Sequence, residues 1–396
     1  MAATRTMATL RHKMCGAHRI FTISSHVVQL AILMILLLGM ANADCECGYA
    51  TPVSKENGEV LFTDLLETDF THLNHLPDNT DWLGQTWNKS SKSARGEFGE
   101  KFSKDNIVPN PARSSRIIQF DTGANGKAAG LDLVVRSKVV DDMVPCAELD
   151  STRSDLLWGS FRAGLKLTKD PGTCAAFFWY YNDTQEIDME FLSQEFDASK
   201  NIFPVNLVLQ SRAAAEAGYN AQATGNFKKI NLPFDPAQDF HEYRMDFLPG
   251  RVIFYADGQP LAEMTGDAVP DHPGHLILQH WSNGNALWSG GPPPRDAMLT
   301  VAYVRAYFNS SSDARKQDWE KRCRDPAAPG AVCHIPEKVS VANPALFSTV
   351  GNMANNQTVS AGGFQASRSL AAGANAVSWF AVVVALLCTG FCSELC

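Results

Sequence analysis

Short apolar runs at close intervals dominate the middle of the chain. β-Branched and aromatic residues concentrate at 131–140, 159–167, 174–181, 186–192, 205–210, 243–247, 252–255, 276–281 and 299–308, with Gly, Pro, Asn and Asp clustered between them. Such runs, bounded by turn formers, predict strands, and no stretch carries a long, clean apolar period at helical spacing. Many strands with few helices predict an all-β sandwich or barrel rather than an alternating α/β fold. One hairpin is legible residue by residue. Tyr243-Arg244-Met245-Asp246-Phe247 alternates, Leu248-Pro249-Gly250 turns, and Arg251-Val252-Ile253-Phe254-Tyr255 alternates back towards an Asp257-Gly258 turn.

The two ends break this pattern. Arg5, Arg11, Lys13 and Arg19 precede an apolar run at 27–40 that closes on Ala41-Asn42-Ala43, the layout of a secretory signal peptide. The run is shorter than the roughly 20 residues a bilayer span needs, which argues against an anchor. Beyond Asn309, residues 310–325 are charged and read as partly helical, and 339–375 are rich in Ser, Ala, Gly, Asn and Thr, as linkers are. The tail at 376–396 is apolar up to Cys392, and small residues Ala361-Gly362-Gly363 and a polar spacer lie upstream. That order matches a glycosylphosphatidylinositol (GPI) anchor signal. The hydrophilic ending Ser393-Glu394-Leu395 departs from it, and a short transmembrane helix is the alternative reading. The expected plan is a signal peptide at 1–43, a catalytic domain at 44–310, a disulfide-containing extension at 311–338, a linker at 339–375 and the tail at 376–396.

Secretion changes how the cysteines read. Cys45, Cys47, Cys146, Cys174, Cys323 and Cys333 form an even set in the mature body, which in an oxidising compartment implies disulfides. Sequence cannot choose among the pairings; Cys323 with Cys333, closing a short Pro/Gly-containing loop, is the expected bridge. Their spacing fits no zinc pattern. Sequons at Asn88, Asn182, Asn309 and Asn356 suit a secreted, cell-surface glycoprotein. With 396 residues and a net charge of −8, the chain has neither the charge nor any Lys/Arg block that a nucleic-acid partner would require. It is expected to act as a monomer.

The most informative words are Gln185-Glu186-Ile187-Asp188-Met189-Glu190-Phe191. On a strand, residues two apart face the same way, so Glu186, Asp188 and Glu190 line one face and Ile187, Met189 and Phe191 the other. Aligned acids repel and raise each other's pKa. Catalysis gives the row a reason, since retaining glycosidases need two carboxyl groups about 5–5.5 Å apart, one a nucleophile and the other an acid/base. On a flat strand the two Glu Cα atoms would stand about 13 Å apart, so a curved sheet is expected to converge the side chains. An acidic edge strand that blocks aggregation and calcium ligation are the alternatives. No cofactor is implied, and a structural calcium is left open.

Aromatic residues flank the acids. Phe177-Phe178-Trp179-Tyr180-Tyr181 precedes them, and His280-Trp281-Ser282-Asn283-Gly284-Asn285 with Trp288 follows. Sugar rings present apolar C–H faces to aromatic rings. Phe177 and Phe178 are expected in the core, and Trp281 beside its polar loop as a substrate platform. Trp179 and Tyr181 share a face and divide evenly between cleft and core. Trp288 is a further substrate-binding candidate, with His280 and Asn283 as hydrogen-bonding ones.

These residues resemble glycoside hydrolase family 16, whose motif E-(I/L/V)-D-x-E stands here as Glu186-Ile187-Asp188-Met189-Glu190. Trp158-Gly159-Ser160-Phe161-Arg162-Ala163, the 240–258 hairpin and His280-Trp281 followed by Asn283 are also similar to family strands, so the resemblance covers roughly 48–308. It implies a β-jelly roll of two curved antiparallel sheets, the concanavalin A-like fold, with the cleft on the concave side. It also implies retention, with Glu186 as nucleophile, Asp188 as its assisting acid and Glu190 as general acid/base. The uninterrupted motif is similar to that of lichenases, plant xyloglucan-modifying enzymes and fungal cell-wall transglycosylases, and the layout to a wall-associated enzyme. A secreted endo-β-glucanase acting on β-1,3-1,4- or β-1,3-glucan is therefore expected. A transglycosylase on the same site and a non-catalytic carbohydrate-binding protein are the rivals; the latter should have lost one of the three acids.

Overall fold

The computed structural model describes residues 45–54, 58–112 and 128–337 and the short strand Thr358–Ala361. The segments expected as signal peptide (1–43) and tail (376–396), nearly all of the expected linker and Asn356 lie outside the described residues. Among the described residues no helix is long and apolar enough to cross a membrane.

Two nine-stranded sheets make the body. The first runs, edge to edge, Phe227–Asn231, Pro204–Ser211, Gln185–Leu192, Cys174–Asn182, His275–Trp281, Met143–Ser151, Gly99–Phe102 and Trp87–Lys89, with Trp82–Gly84 also on Met143–Ser151. The second runs Gln259–Thr265, Arg251–Ala256, His241–Leu248, Leu156–Lys166, Ala297–Ser310, Asp64–Asp69 and Thr358–Ala361, with Gly130–Val135 and Ile107–Asn110 alongside. Most pairings are antiparallel; Gly99–Phe102 on Met143–Ser151 is parallel. This is the sandwich that the alternation implies, a jelly roll. The expected hairpin forms with Leu248 opposite Arg251, and Gly250 takes the left-handed φ of +70° that its turn position requires.

Alternation builds the core. Phe177, Trp179, Ile187, Met189 and Phe191 of the first sheet face Phe161, Leu165, Tyr243, Met245 and Phe247 of the second, all essentially inaccessible to solvent. Trp179 packs on Phe247 with ring centroids 4.9 Å apart, and Phe191 on Tyr243 at 4.6 Å. A fully buried aromatic of this kind contributes on the order of 2–3 kcal/mol.

A third layer covers the far face of the second sheet. Gly48–Ser54, Gly58–Phe62 and Val332–His334 form a small sheet, the last strand running parallel to the first. That neighbourhood overturns the expected Cys323–Cys333 bridge. The bonds are Cys45–Cys333 and Cys47–Cys323, and Cys146 and Cys174 remain buried free thiols. The parallel pairing brings both ends of the domain together, so each late cysteine meets an early one. Bridging separations of 288 and 276 residues constrains the unfolded chain, worth up to about 5 kcal/mol each in the chain-entropy account. The charged segment after Asn309 forms the helix Asp313–Arg322, whose Arg322 donates to the Glu46 carbonyl at 2.6 Å beside these bonds.

Candidate active site

The motif strand Gln185–Leu192 lies third from one edge of the first sheet. Its register places Glu186 opposite Gln210 and Tyr180, Asp188 opposite Val208 and Phe178, and Glu190 opposite Asn206 and Ala176. Ile187 and Met189 go to the core, so the three carboxylates go to the outer face. There they line one cleft of about 330 Å³, which extends across the sheet from Trp87 at one end to Phe227 at the other. Loops from both ends approach each other over it. Arg95, after Lys89, donates to the Gly218 carbonyl at 3.4 Å and lies 5.1 Å from the Tyr219 ring centroid.

Burial sets the electrostatics. Asp188 is 3 % exposed, whereas Glu186 and Glu190 keep part of their surface open to the cleft. Burial pushes Glu186 from its ordinary 4.5 up to about 7; a hydrogen bond from Asp188 works against this, and the charges of Glu190 and Asp183 work with it. Asp188 is raised well above the usual carboxylate range, by burial first, then by the charge of Glu186 and the hydrogen bond to it. Asp188 therefore holds a proton and donates it to Glu186, leaving Glu186 the ionised member of the pair. Burial raises Glu190 too, against hydrogen bonds from Trp288 and Cys174 and the charge of Arg95. Burial thus raises all three carboxyls, and within the Glu186–Asp188 pair Asp188 is the donor.

This arrangement costs stability. A carboxyl with a folded-state pKa above its unfolded value gives stability that is complete below about 4.5 and is lost as pH rises towards about 7. Glu186→Gln should therefore stabilise the protein at pH 8, by about 1–3 kcal/mol at about 1.4 kcal/mol per pKa unit, and far less at pH 4. Thermal melting at both pH values checks this. An equal effect at the two would show that ionisation of Glu186 is not the source.

The flanking candidates divide. Trp281 and Trp288 line the cleft, and the Trp288 Nε1 lies 3.3 Å from Oε1 of Glu190. Asn283 reaches the cleft wall but its amide is occupied: Nδ2 donates to the Ala94 carbonyl at 2.8 Å and to Glu100 at 3.0 Å, and Oδ1 accepts from Ser289 and from the Asn285 backbone. It holds loops together rather than presenting a group to a ligand.

His280 is a correction. Fully buried between the sheets, it donates from Nδ1 to the Leu133 carbonyl at 2.8 Å, and burial pushes its pKa down to about 4. Its neighbours Gln279 and Trp281 occupy the cleft-facing positions instead. Trp179 is a second correction, since it lies in the core with Nε1 bonded to the Leu156 carbonyl. Tyr181 is a third: at 43 % exposure it stacks on His272 beyond the cleft. Parity explains both. Phe178 sits opposite Asp188, so even-numbered positions of that strand face the cleft and odd ones the core, and a register shift between Tyr180 and Asn182 turns Tyr181 away. Phe178, expected in the core, is cleft floor.

Sequence reasoning missed the far end of the cleft. Trp87, 38 % exposed, stacks on Phe102 and donates from Nε1 to the buried Glu148 at 2.8 Å. Gln279 and Gln210 also line the cleft. The alternation of Gln210 with Val205, Leu207 and Leu209 was a usable signal; Trp87 and Glu100 lie on strands of three and four residues that have none. Among the described residues no group of three or more His, Cys, Asp or Glu is placed to hold a metal ion.

Residues 119–304 match the family model described as Glycosyl hydrolases family 16. A "Beta-glucanase" of Bacillus licheniformis is 31 % identical over 34 % of this chain and 51 % of its own length. One of Paenibacillus macerans is 32 % identical over 37 % and 56 %. A "Probable xyloglucan endotransglucosylase/hydrolase protein 27" of Arabidopsis thaliana is 28 % identical over 34 % and 41 %. The chain spans about half the length of the curated relatives it matches. The matched residues contain the whole motif strand, whereas Trp87, Arg95 and the four bonded cysteines lie outside them.

Proposed function

We propose that this protein is a secreted retaining endo-β-glucanase that hydrolyses β-1,3-1,4- or β-1,3-glucan by double displacement. The observation that carries this reading is the alignment of Glu186, Asp188 and Glu190 along the floor of one cleft walled by Trp87, Trp281 and Trp288. Glu186 attacks the anomeric carbon while Glu190 protonates the departing glycosidic oxygen, giving a glycosyl ester on Glu186. Glu190, now ionised, takes a proton from water, which attacks the same carbon and releases Glu186 with the β configuration restored. Asp188 donates to Glu186 and shares the charge that returns to it. The likeness to proteins named beta-glucanase supports a β-glucan as partner.

A signal peptide, GPI attachment and placement at the cell surface or wall remain part of this proposal. The leader, the apolar tail and two disulfides of the kind oxidising compartments allow support them. Exposed Asn88 and Asn182 suit glycosylation, whereas Asn309 is half-buried. Transfer to a sugar acceptor is the second reading, favoured by the likeness to the Arabidopsis thaliana protein.

Incubation with lichenan, laminarin and chitin-derived acceptors, beside Glu186→Gln and Glu190→Gln, separates these. New reducing ends from wild type alone indicate hydrolysis, and lengthened acceptor without them indicates transfer. Binding without turnover in all three proteins would contradict an enzyme.

A further inference from the structure

Cys174 is a fully buried thiol with no disulfide partner, an unusual feature beside two formed disulfides. Its Sγ lies 3.4 Å from Oε1 of Glu190. The indole Nε1 of Trp288 lies 3.3 Å from the same oxygen. The donors come from separate elements: Cys174 opens the strand next to the motif strand, and Trp288 lies in the loop after His275–Trp281. Oε2 of Glu190 has no hydrogen-bond partner among the described residues.

We propose that Cys174 and Trp288 are positioning residues that commit Oε1 of Glu190 as an acceptor, fixing Oε2 as the oxygen that delivers and recovers the proton. This rests on the reading of Glu190 as acid/base. An indole N–H can only donate. The thiol keeps its proton, because burial, and then the charge of Glu190, raise its pKa well above the ordinary value. A proton on Oε1 would therefore face the indole donor and only the weakly accepting sulfur of Cys174, whereas Oε2 meets no donor among the described residues. The two contacts also hold the carboxyl plane against rotation. The small Ala176 stands opposite Glu190, and both line the cleft.

The pH profile reads this out. The charged or titrating groups around Glu190 are Asp188 and Glu186 on its own strand, Cys174 on the neighbouring strand, Arg95 from the loop above, and Glu100, Lys89 and Tyr219 elsewhere in the cleft; Asn206 beside it is neutral. Donors to the ionised form hold the acid/base pKa down, so deleting one should raise the alkaline limb of kcat/KM. The expected shift is about one pH unit upward for Trp288→Phe and about half a unit for Cys174→Ala, from the strength of hydrogen bonds to charged groups. kcat should fall about tenfold in Trp288→Phe. Cys174→Ser keeps a donor and should restore the wild-type limb.

Alkaline limbs unchanged in both deletions, with only KM altered, would overturn the proposal and leave Trp288 as a sugar platform and Cys174 as filling. A Cys174→Ser profile that follows Cys174→Ala would overturn the thiol's part. Glu190→Gln, measured alongside, keeps the two readings apart. If it retains the alkaline limb, the acid/base reading has failed. If it loses the limb while the deletions leave it in place, only the positioning claim has. Thermal melting of each variant confirms a folded protein.

Discussion

Glu186→Ala is expected to lose on the order of 10⁴–10⁶-fold in kcat on glucan, as removal of a covalent nucleophile does. Added azide should restore part of that activity on an aryl glycoside with a good leaving group. The small anion fits the space the carboxylate vacates and attacks the anomeric carbon from the same side. The product should be a glycosyl azide of inverted, α, configuration, because one displacement now replaces two. A β product, or no response to azide, would place the nucleophile elsewhere. Asp188 sharpens the expectation, since its hydrogen bond opposes the burial that raises Glu186 and it cannot itself attack while it holds the proton.

The second large effect belongs to Glu190→Gln, and it should depend on the leaving group. On glucan, whose departing sugar oxygen needs a proton, kcat should fall about 10²–10⁴-fold. On a dinitrophenyl glycoside, which departs without protonation, formation of the glycosyl-enzyme should proceed at nearly the wild-type rate. Hydrolysis of that intermediate would be slow, because no base activates water, so a burst followed by a slow steady state should be seen. The alkaline limb of the profile should vanish with the group that titrates there. Equal losses on both substrates would mean that Glu190 shapes the cleft without transferring a proton.

The chain announced its chemistry more clearly than its connections. Alternation alone put Glu186, Asp188 and Glu190 on one face and Ile187, Met189 and Phe191 on the other, and the sheet keeps that division. The Pro249-Gly250 hairpin was equally legible, because turn chemistry is local. What failed depended on distant parts of the chain. Cys323 and Cys333 pair with Cys47 and Cys45 because one edge of the small sheet joins both ends of the domain, which no spacing encodes. His280 and Trp179 went to the core because each strand's parity is set by its neighbour's register. Trp87 and Arg95 reach the cleft only because the sheet carries its far edge there.

The cleft's two ends also differ in kind. The motif strand, Gln279 and Trp281 lie in the matched residues, whereas Trp87 and Arg95 precede them.

The central claim, a covalent glycosyl ester on Glu186, is most directly tested by trapping it. Wild-type protein would be incubated with a 2-deoxy-2-fluoro-β-laminaribiosyl or cellobiosyl fluoride, digested, and mapped by mass spectrometry. One added 2-fluoro-disaccharide mass is expected on the peptide containing Glu186, localised to that residue. A label on another side chain would contradict it, as would an unlabelled enzyme that turns over glucan with inversion.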